Sequence, residues 1–272
     1  MLHLLITMSK PSHIGVETSQ HWSLNARSLA LSVLLGTHPP RLAGKSLVAL
    51  AELFGINAGT MRTALSRMAA AGDVTNDDGM YALTDRLRAR QAAQDAGRGA
   101  HAARWDGTWH TALAIADQRD LADRRADRSV LHNARFGELR PDIWLRPANL
   151  PAAPLHDGWL VTTGALSGGD PGGLVDRLWP MEQIAATAAG LRQELDATAA
   201  TLDRTDPRAI PALFELSARV VRFLRDEPLL PPDLLPAVWP VPALRDRYDD
   251  VEQVLQSMMR PFLAGPGRTP RG

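Results

Sequence analysis

Two apolar helical stripes joined by a short glycine-containing turn constrain this chain more than any other feature. The first stripe is Leu47, Leu50, Ala51, Leu53 and Phe54; the second is Met61, Ala64, Leu65 and Met68. Each recurs at the three-to-four-residue spacing that lines one face of an α-helix. Between them, Gly55 suits the left-handed position that closes a helix, Ile56 serves as a core plug, and Asn57 can cap the next helix. An earlier helix, from about Leu24 to Leu35, stops before Gly36 and Pro39-Pro40.

The helix from about Ala58 to Ala70 carries Thr60, Thr63, Ser66 and Arg67 opposite its apolar stripe, with Arg62 on the flank. A narrow face of hydroxyls and guanidinium groups can enter the major groove, bond base edges and bind phosphates. An ordinary three-helix bundle with a solvated face would share this pattern. The following residues separate the two readings. Gly72 ends the helix, Val74 and Thr75 begin an extended run, Asp77-Asp78-Gly79 makes a turn, and Tyr81 and Leu83 alternate on the return. Helix-turn-helix followed at once by a hairpin is the winged helix-turn-helix order.

The whole chain is neutral, with 30 basic and 30 acidic residues. Affinity for a polyanion must therefore come from a local excess. Over residues 23–72, Arg27, Arg41, Lys45, Arg62 and Arg67 face Glu52 alone, a net charge of +4. Arg41, Lys45 and Arg62 are expected to dock on phosphates, and Thr60, Thr63, Ser66 and Arg67 to meet the groove. The wing tip, Asn76-Asp77-Asp78-Gly79, is acidic and is expected to stand off DNA or touch it only through backbone amides.

The absence of cysteine excludes disulfides, thiolate zinc sites and cysteine nucleophiles, and suits the cytoplasm. No stretch has the ~20 apolar residues of a membrane span. Residues 1–22 show no helical period and are expected to be frayed or an extension preceding Met8. Residues 23–84 form the winged helix-turn-helix domain, 85–104 a polar linker helix, and 105–175 a middle domain with strands around a helix or two. Residues 176–265 return to helical periodicity, broken by the prolines between Pro228 and Pro242.

Several stretches taken together resemble the PaaX family of transcriptional regulators. They are Ala26-Arg27-Ser28-Leu29, Leu53-Phe54-Gly55-Ile56, Met61 through Met68, Tyr81-Ala82-Leu83-Thr84, Trp105-Asp106-Gly107-Thr108-Trp109, Phe136-Gly137-Glu138-Leu139, Ile143 through Leu150, and Asp226 through Pro236 closed by Trp239-Pro240. The resemblance implies an α+β multidomain chain with a ferredoxin-like, Cas2-like middle domain and a helical C-terminal domain. It also implies a homodimeric repressor of catabolic genes that binds a double-stranded operator and answers to a small effector, phenylacetyl-coenzyme A or another acyl-CoA. Arg135, Trp144 and Arg146 are the candidates for that ligand. A tryptophan placed like Trp144, between Ile143 and Leu145, is most often a core residue and otherwise lines an aromatic pocket.

Chemistry beyond binding finds little support. The resemblance to Cas2 nucleases draws attention to Asp117, at the end of the expected strand Thr108–Ala116. A metal-dependent nuclease would need several carboxylates, and none joins it in sequence. The eight histidines have no metal-ligand spacing. Ser167 through Gly173 is glycine-rich but lacks the lysine and hydroxyl of a phosphate loop. The arginines of 119–128 alternate with Asp120, Asp123 and Asp127, either as a self-paired solvated face or as an anion site. No catalytic residue, metal or cofactor is expected. The helical leucines Leu191, Leu195, Leu202, Leu213 and Leu216, with Val220, Phe223 and Leu224, exceed what one small bundle needs, so the dimer contact is expected among residues 177–265.

Overall fold

The computed structural model describes residues 25–88, 104–115, 120–153 and 155–263. The expected extension at 1–22, most of the 85–104 linker, and both Asp117 and Arg119 lie outside them. The chain mixes helices with two antiparallel sheets and divides into two compact units. Of the described residues, the first takes 25–88, 191–222 and 243–263, and the second takes those between 104 and 190 together with 223–242. The stretch 176–265 is thereby shared between them, because the first half of one long helix belongs to the second unit.

The first unit begins with α1 (Ala26–Gly36), β1 (Arg41–Ala43), α2 (Gly44–Leu53), α3 (Ala58–Ala70), β2 (Val74–Asp77) and β3 (Met80–Leu83). Asn25 caps α1 by accepting a hydrogen bond from Ser28 N. Leu29, Leu34, Leu47, Leu50, Met61, Leu65 and Met68 are buried and fuse the three helices into one core. The strands pair antiparallel in the order β1-β3-β2, with Leu42 opposite Tyr81 and Thr75 opposite Ala82. The three-residue β1 escaped the sequence reading, since so short a run carries no periodicity.

This unit also contains the second half of α6 (Met181–Thr201), most of α7 (Ile210–Asp226) and most of α8 (Val241–Leu263). Leu195, Leu213, Phe214, Leu216, Val220, Leu244 and Leu255 are buried among these helices. Phe54 meets Phe214 edge-on with ring centroids 5.2 Å apart, so α7 packs at the turn between α2 and α3. Five of the eight apolar residues that suggested a dimer contact within 177–265 are therefore not spare, while Leu202, Phe223 and Leu224 are half-buried. Leu191, Leu195, Leu213, Leu216 and Val220 are consumed inside the single chain. Helical periodicity identifies a face that must be covered, but not what covers it.

The second unit holds a four-stranded antiparallel sheet in the order β5-β6-β4-β7. Its strands are β4 (Thr108–Ala114), β5 (Gly137–Arg140), β6 (Ile143–Pro147) and β7 (Trp159–Ala165). α4 (Leu121–Asn133) follows β4, and its Leu131 packs with Ala112, Phe136, Trp144 and Trp159. α5 (Pro171–Leu178) closes on β5 at Gly137, where a Cβ would stand 2.7 Å from that of Leu178. Only glycine permits that approach. The proline-rich segment is tied to this unit by side chains. Asn149 donates to Leu229 O at 2.8 Å, and Arg135 donates to the Leu224 and Glu227 carbonyls.

Candidate nucleic-acid interface

The geometry of α3 follows from its ends and its stripe. Asn57 accepts a hydrogen bond from Thr60 N at 2.8 Å and starts the helix. Gly55, at φ 70°, makes the turn from α2. Met61, Leu65 and Met68 are buried, which forces Thr60, Arg62, Thr63, Ser66 and Arg67 to solvent together. No acidic residue lies on the helix. The four expected groove residues and the expected phosphate contact Arg62 thus share one exposed surface.

The partners of the cations sharpen this picture. Residues 25–88 contain seven cations and five acids, a smaller excess than that of residues 23–72. Asp73 directly follows that basic stretch. It is buried and receives Arg27 at 2.7 Å and Arg86 at 2.8 Å. Arg41, on β1, lies 3.5 Å from Asp77, and Arg88 pairs with Asp85. Arg62 and Arg67 have neither a hydrogen bond nor an ion pair among the described residues. The uncommitted positive charge of this region therefore sits on α3.

Lys45, the second residue of α2, is exposed and lines a concavity of about 370 Å³ with Arg62, Glu52, Leu65 and Tyr81. The structure thus brings Lys45 beside Arg62, whereas Arg41 lies on the neighbouring strand. Gly44 N donates to Gly79 O at 2.8 Å, tying the hairpin turn to the start of α2. Asp77 and Asp78 are both exposed at the tip. Asp73, Glu52 and Tyr81 were missed as parts of this surface. Asp73 reads as a turn residue until Arg27 and Arg86, 46 and 13 residues away, are brought to it.

The three expected ligand residues lie in the second unit and are all engaged by protein groups. Trp144 is buried in the core, with His132 edge-on at 5.0 Å. Arg135 holds the Leu224 and Glu227 carbonyls. Arg146 is 4% exposed, donates to Ala134 O at 2.9 Å and to Pro151 O, and stacks over Phe136. Burial pulls the pKa of its guanidinium down to about 10. These roles are architectural. Among the described residues, no three histidine, aspartate or glutamate side chains are placed to hold a metal ion.

The family model for PaaX-like proteins matches residues 25–87, the span of α1 through β3 and the helical turn that follows. The chain belongs to the PaaX-like family. Transcriptional regulation and DNA binding are that family's role, and the matched span is the one that carries the α3 surface. The PaaX-like chain is also similar over most of its length to a solved structure, the uncharacterized protein Rv0674 from Mycobacterium tuberculosis. The two are 35% identical with a TM-score of 0.72, covering 88% of this chain and 98% of that one. No curated protein matches the chain. Among the described residues, no helix is long and apolar enough to cross a membrane.

Proposed function

We propose that this PaaX-like protein is a dimeric transcriptional repressor that grips operator DNA through a winged helix-turn-helix at residues 25–88. The observation that carries this reading is the acid-free face of α3, where Thr60, Thr63 and Ser66 stand among Arg62 and Arg67, which are unpaired among the described residues. Thr63, Ser66 and Arg67 read bases, while Lys45 and Arg62 bind phosphates beside them. Arg41 joins them by exchanging the exposed Asp77 for phosphate. The sheet order β1-β3-β2 against three helices supports the winged-helix assignment. The order β5-β6-β4-β7, with α4 between its first two strands, supports a ferredoxin-like second unit in which a loop replaces the second helix.

Release from DNA by a small ligand requires that the ligand bind the DNA-incompetent state more tightly. The repressor reading is tested by sequencing the DNA that purified protein retains from its own genome, then measuring binding to the recovered site across salt concentrations. A shared sequence motif and an affinity that falls steeply with salt are expected. Retention of random fragments would sink the reading. Incubation of the same DNA with protein and magnesium or manganese should leave it intact. Cleavage lost in Asp117→Ala would instead establish the nuclease alternative.

A further inference from the structure

The exposed side chains of α3 are few in kind, and each kind reads a different part of a base pair. Thr63 stands at the centre of the exposed face, with Ser66 about 60° to one side of it around the helix axis and Arg67 about 40° to the other. The hydroxyls of Thr63 and Ser66 have no acceptor among the described residues. Thr187 and Thr201 on α6, by contrast, donate theirs back to the Gln183 and Ala197 carbonyls. Arg67 has no partner among the described residues either. Arg62 lies to the α2 side, where it lines a concavity with Lys45 and Glu52.

The amides of this region point the same way. A bidentate contact to adenine takes the oxygen and the nitrogen of one amide together. Residues 25–88 contain three asparagines and no glutamine. Every asparagine oxygen is already taken: that of Asn25 by Ser28 N, that of Asn57 by Thr60 N and that of Asn76 by Gly79 N. A guanidinium, in turn, donates two hydrogen bonds to O6 and N7 of guanine, and a threonine methyl packs on the C5-methyl of thymine. Thr63 and Arg67 are one helical turn apart, about 6 Å along the axis. Base pairs stack every ~3.4 Å, so the two side chains reach base pairs one or two steps apart.

We propose that α3 selects a guanine through Arg67 and, one or two base pairs away, a thymine through the methyl of Thr63, with no bidentate adenine contact. Arg62 and Lys45 then add affinity without choosing a base. This inference deepens the DNA-binding reading given above and rests on it.

The test uses the full-length protein and the operator recovered from its own genome. Single base analogues are placed in turn along one half-site, and affinity is read by fluorescence anisotropy. 7-Deazaguanine, which lacks the N7 acceptor, should weaken binding about tenfold at one position. Deoxyuridine, which lacks the thymine methyl, should weaken it about fourfold one or two base pairs away. 7-Deazaadenine should change nothing at any position. Arg67→Ala should bind more weakly and no longer sense 7-deazaguanine. Thr63→Ser, which keeps the hydroxyl and drops the methyl, should no longer sense deoxyuridine. Arg62→Ala should keep both sensitivities while its slope of log affinity against log salt falls by about one. No cost from 7-deazaguanine, or a cost that persists in Arg67→Ala, would overturn the guanine contact. No cost from deoxyuridine, or one that persists in Thr63→Ser, would overturn the thymine contact. A cost from 7-deazaadenine would show an adenine contact that the inference denies. A selected sequence indifferent to all three analogues would remove this inference and leave the DNA-binding reading standing, whereas selection of no sequence would remove both.

Discussion

Arg67 and Arg27 are both exposed arginines of the reading head, yet their partners assign them different work. Arg67 has no ion pair among the described residues and stands on the outer face of α3, so Arg67→Ala should remove a base contact. A loss of ~1–3 kcal/mol in operator binding and a relaxed preference at one base position are expected by fluorescence anisotropy. Arg27 is spent on the buried Asp73. Arg27→Ala should leave base preference untouched and cost folding stability about 1 kcal/mol or less, since the guanidinium is largely solvated. Equal effects of the two substitutions on DNA binding would show that the wrong face has been assigned. His110 gives a separate test in the second unit. Burial, and then the nearby Arg146 charge, holds its pKa below the ordinary 6.5. The folded state therefore resists protonating it while the unfolded chain does not. Its contribution is fully present above pH 6.5 and is lost as pH falls from there towards the lower folded value. Melting of His110→Gln should accordingly lose less stability than wild type between ~pH 8 and ~pH 5.5. Parallel pH profiles for the two proteins would refute that assignment.

Elements were legible in the sequence where a period and a cap agreed. α3 could be read because Asn57, the Met61–Leu65–Met68 stripe and Gly72 fix its start, face and end. The hairpin could be read from Asp77-Asp78-Gly79. β1 could not, because its existence depends on Met80 through Ala82 arriving opposite it. Nor could the destiny of the α7 leucines, which is decided by α6, α8 and Phe54. The joint between the wing and α2 was equally hidden and makes a sharp prediction. A Cβ on Gly44 would lie 2.9 Å from Cε2 of Tyr81 on β3. Gly44→Ala should therefore push the hairpin from the start of α2 and cost ~1–3 kcal/mol of stability by overpacking. Replacing Tyr81 by leucine should recover most of that loss, because the clash is with the ring. A penalty of the same size in both backgrounds, measured by urea unfolding, would place the cause in the helix backbone instead.

At the scale of the whole molecule, the distribution of apolar surface bears on how two reading heads are joined. Among the described residues, every large hydrophobic residue that is prominently exposed lies in the second unit. Four of them, Ile115, Leu160, Val161 and Leu166, lie on or beside β7 and the end of β4. β7 is an edge strand, paired to β4 along one side from Trp159 to Ala165. An exposed edge is normally blunted by charge, proline or a short length. Residues 159–169 contain no charged residue and no proline. An uncharged edge meets no like-charge repulsion from its own copy, and antiparallel pairing about Thr162 would set Leu160 across from Gly164 with both backbones satisfied. The homodimer contact is therefore proposed at β7, in place of the α6–α8 leucines that the chain buries internally. Two-fold pairing is also what a repressor needs to span half-sites separated by roughly 34–36 Å or its multiples. Val161→Lys puts an ammonium group on each copy at the pairing edge, while in a monomer that side chain remains solvated. Sedimentation should show a wild-type dimer and a folded Val161→Lys monomer, with operator binding reduced to that of a single head. A Val161→Lys protein that remains dimeric and binds the paired half-sites as tightly as wild type would remove β7 from the interface.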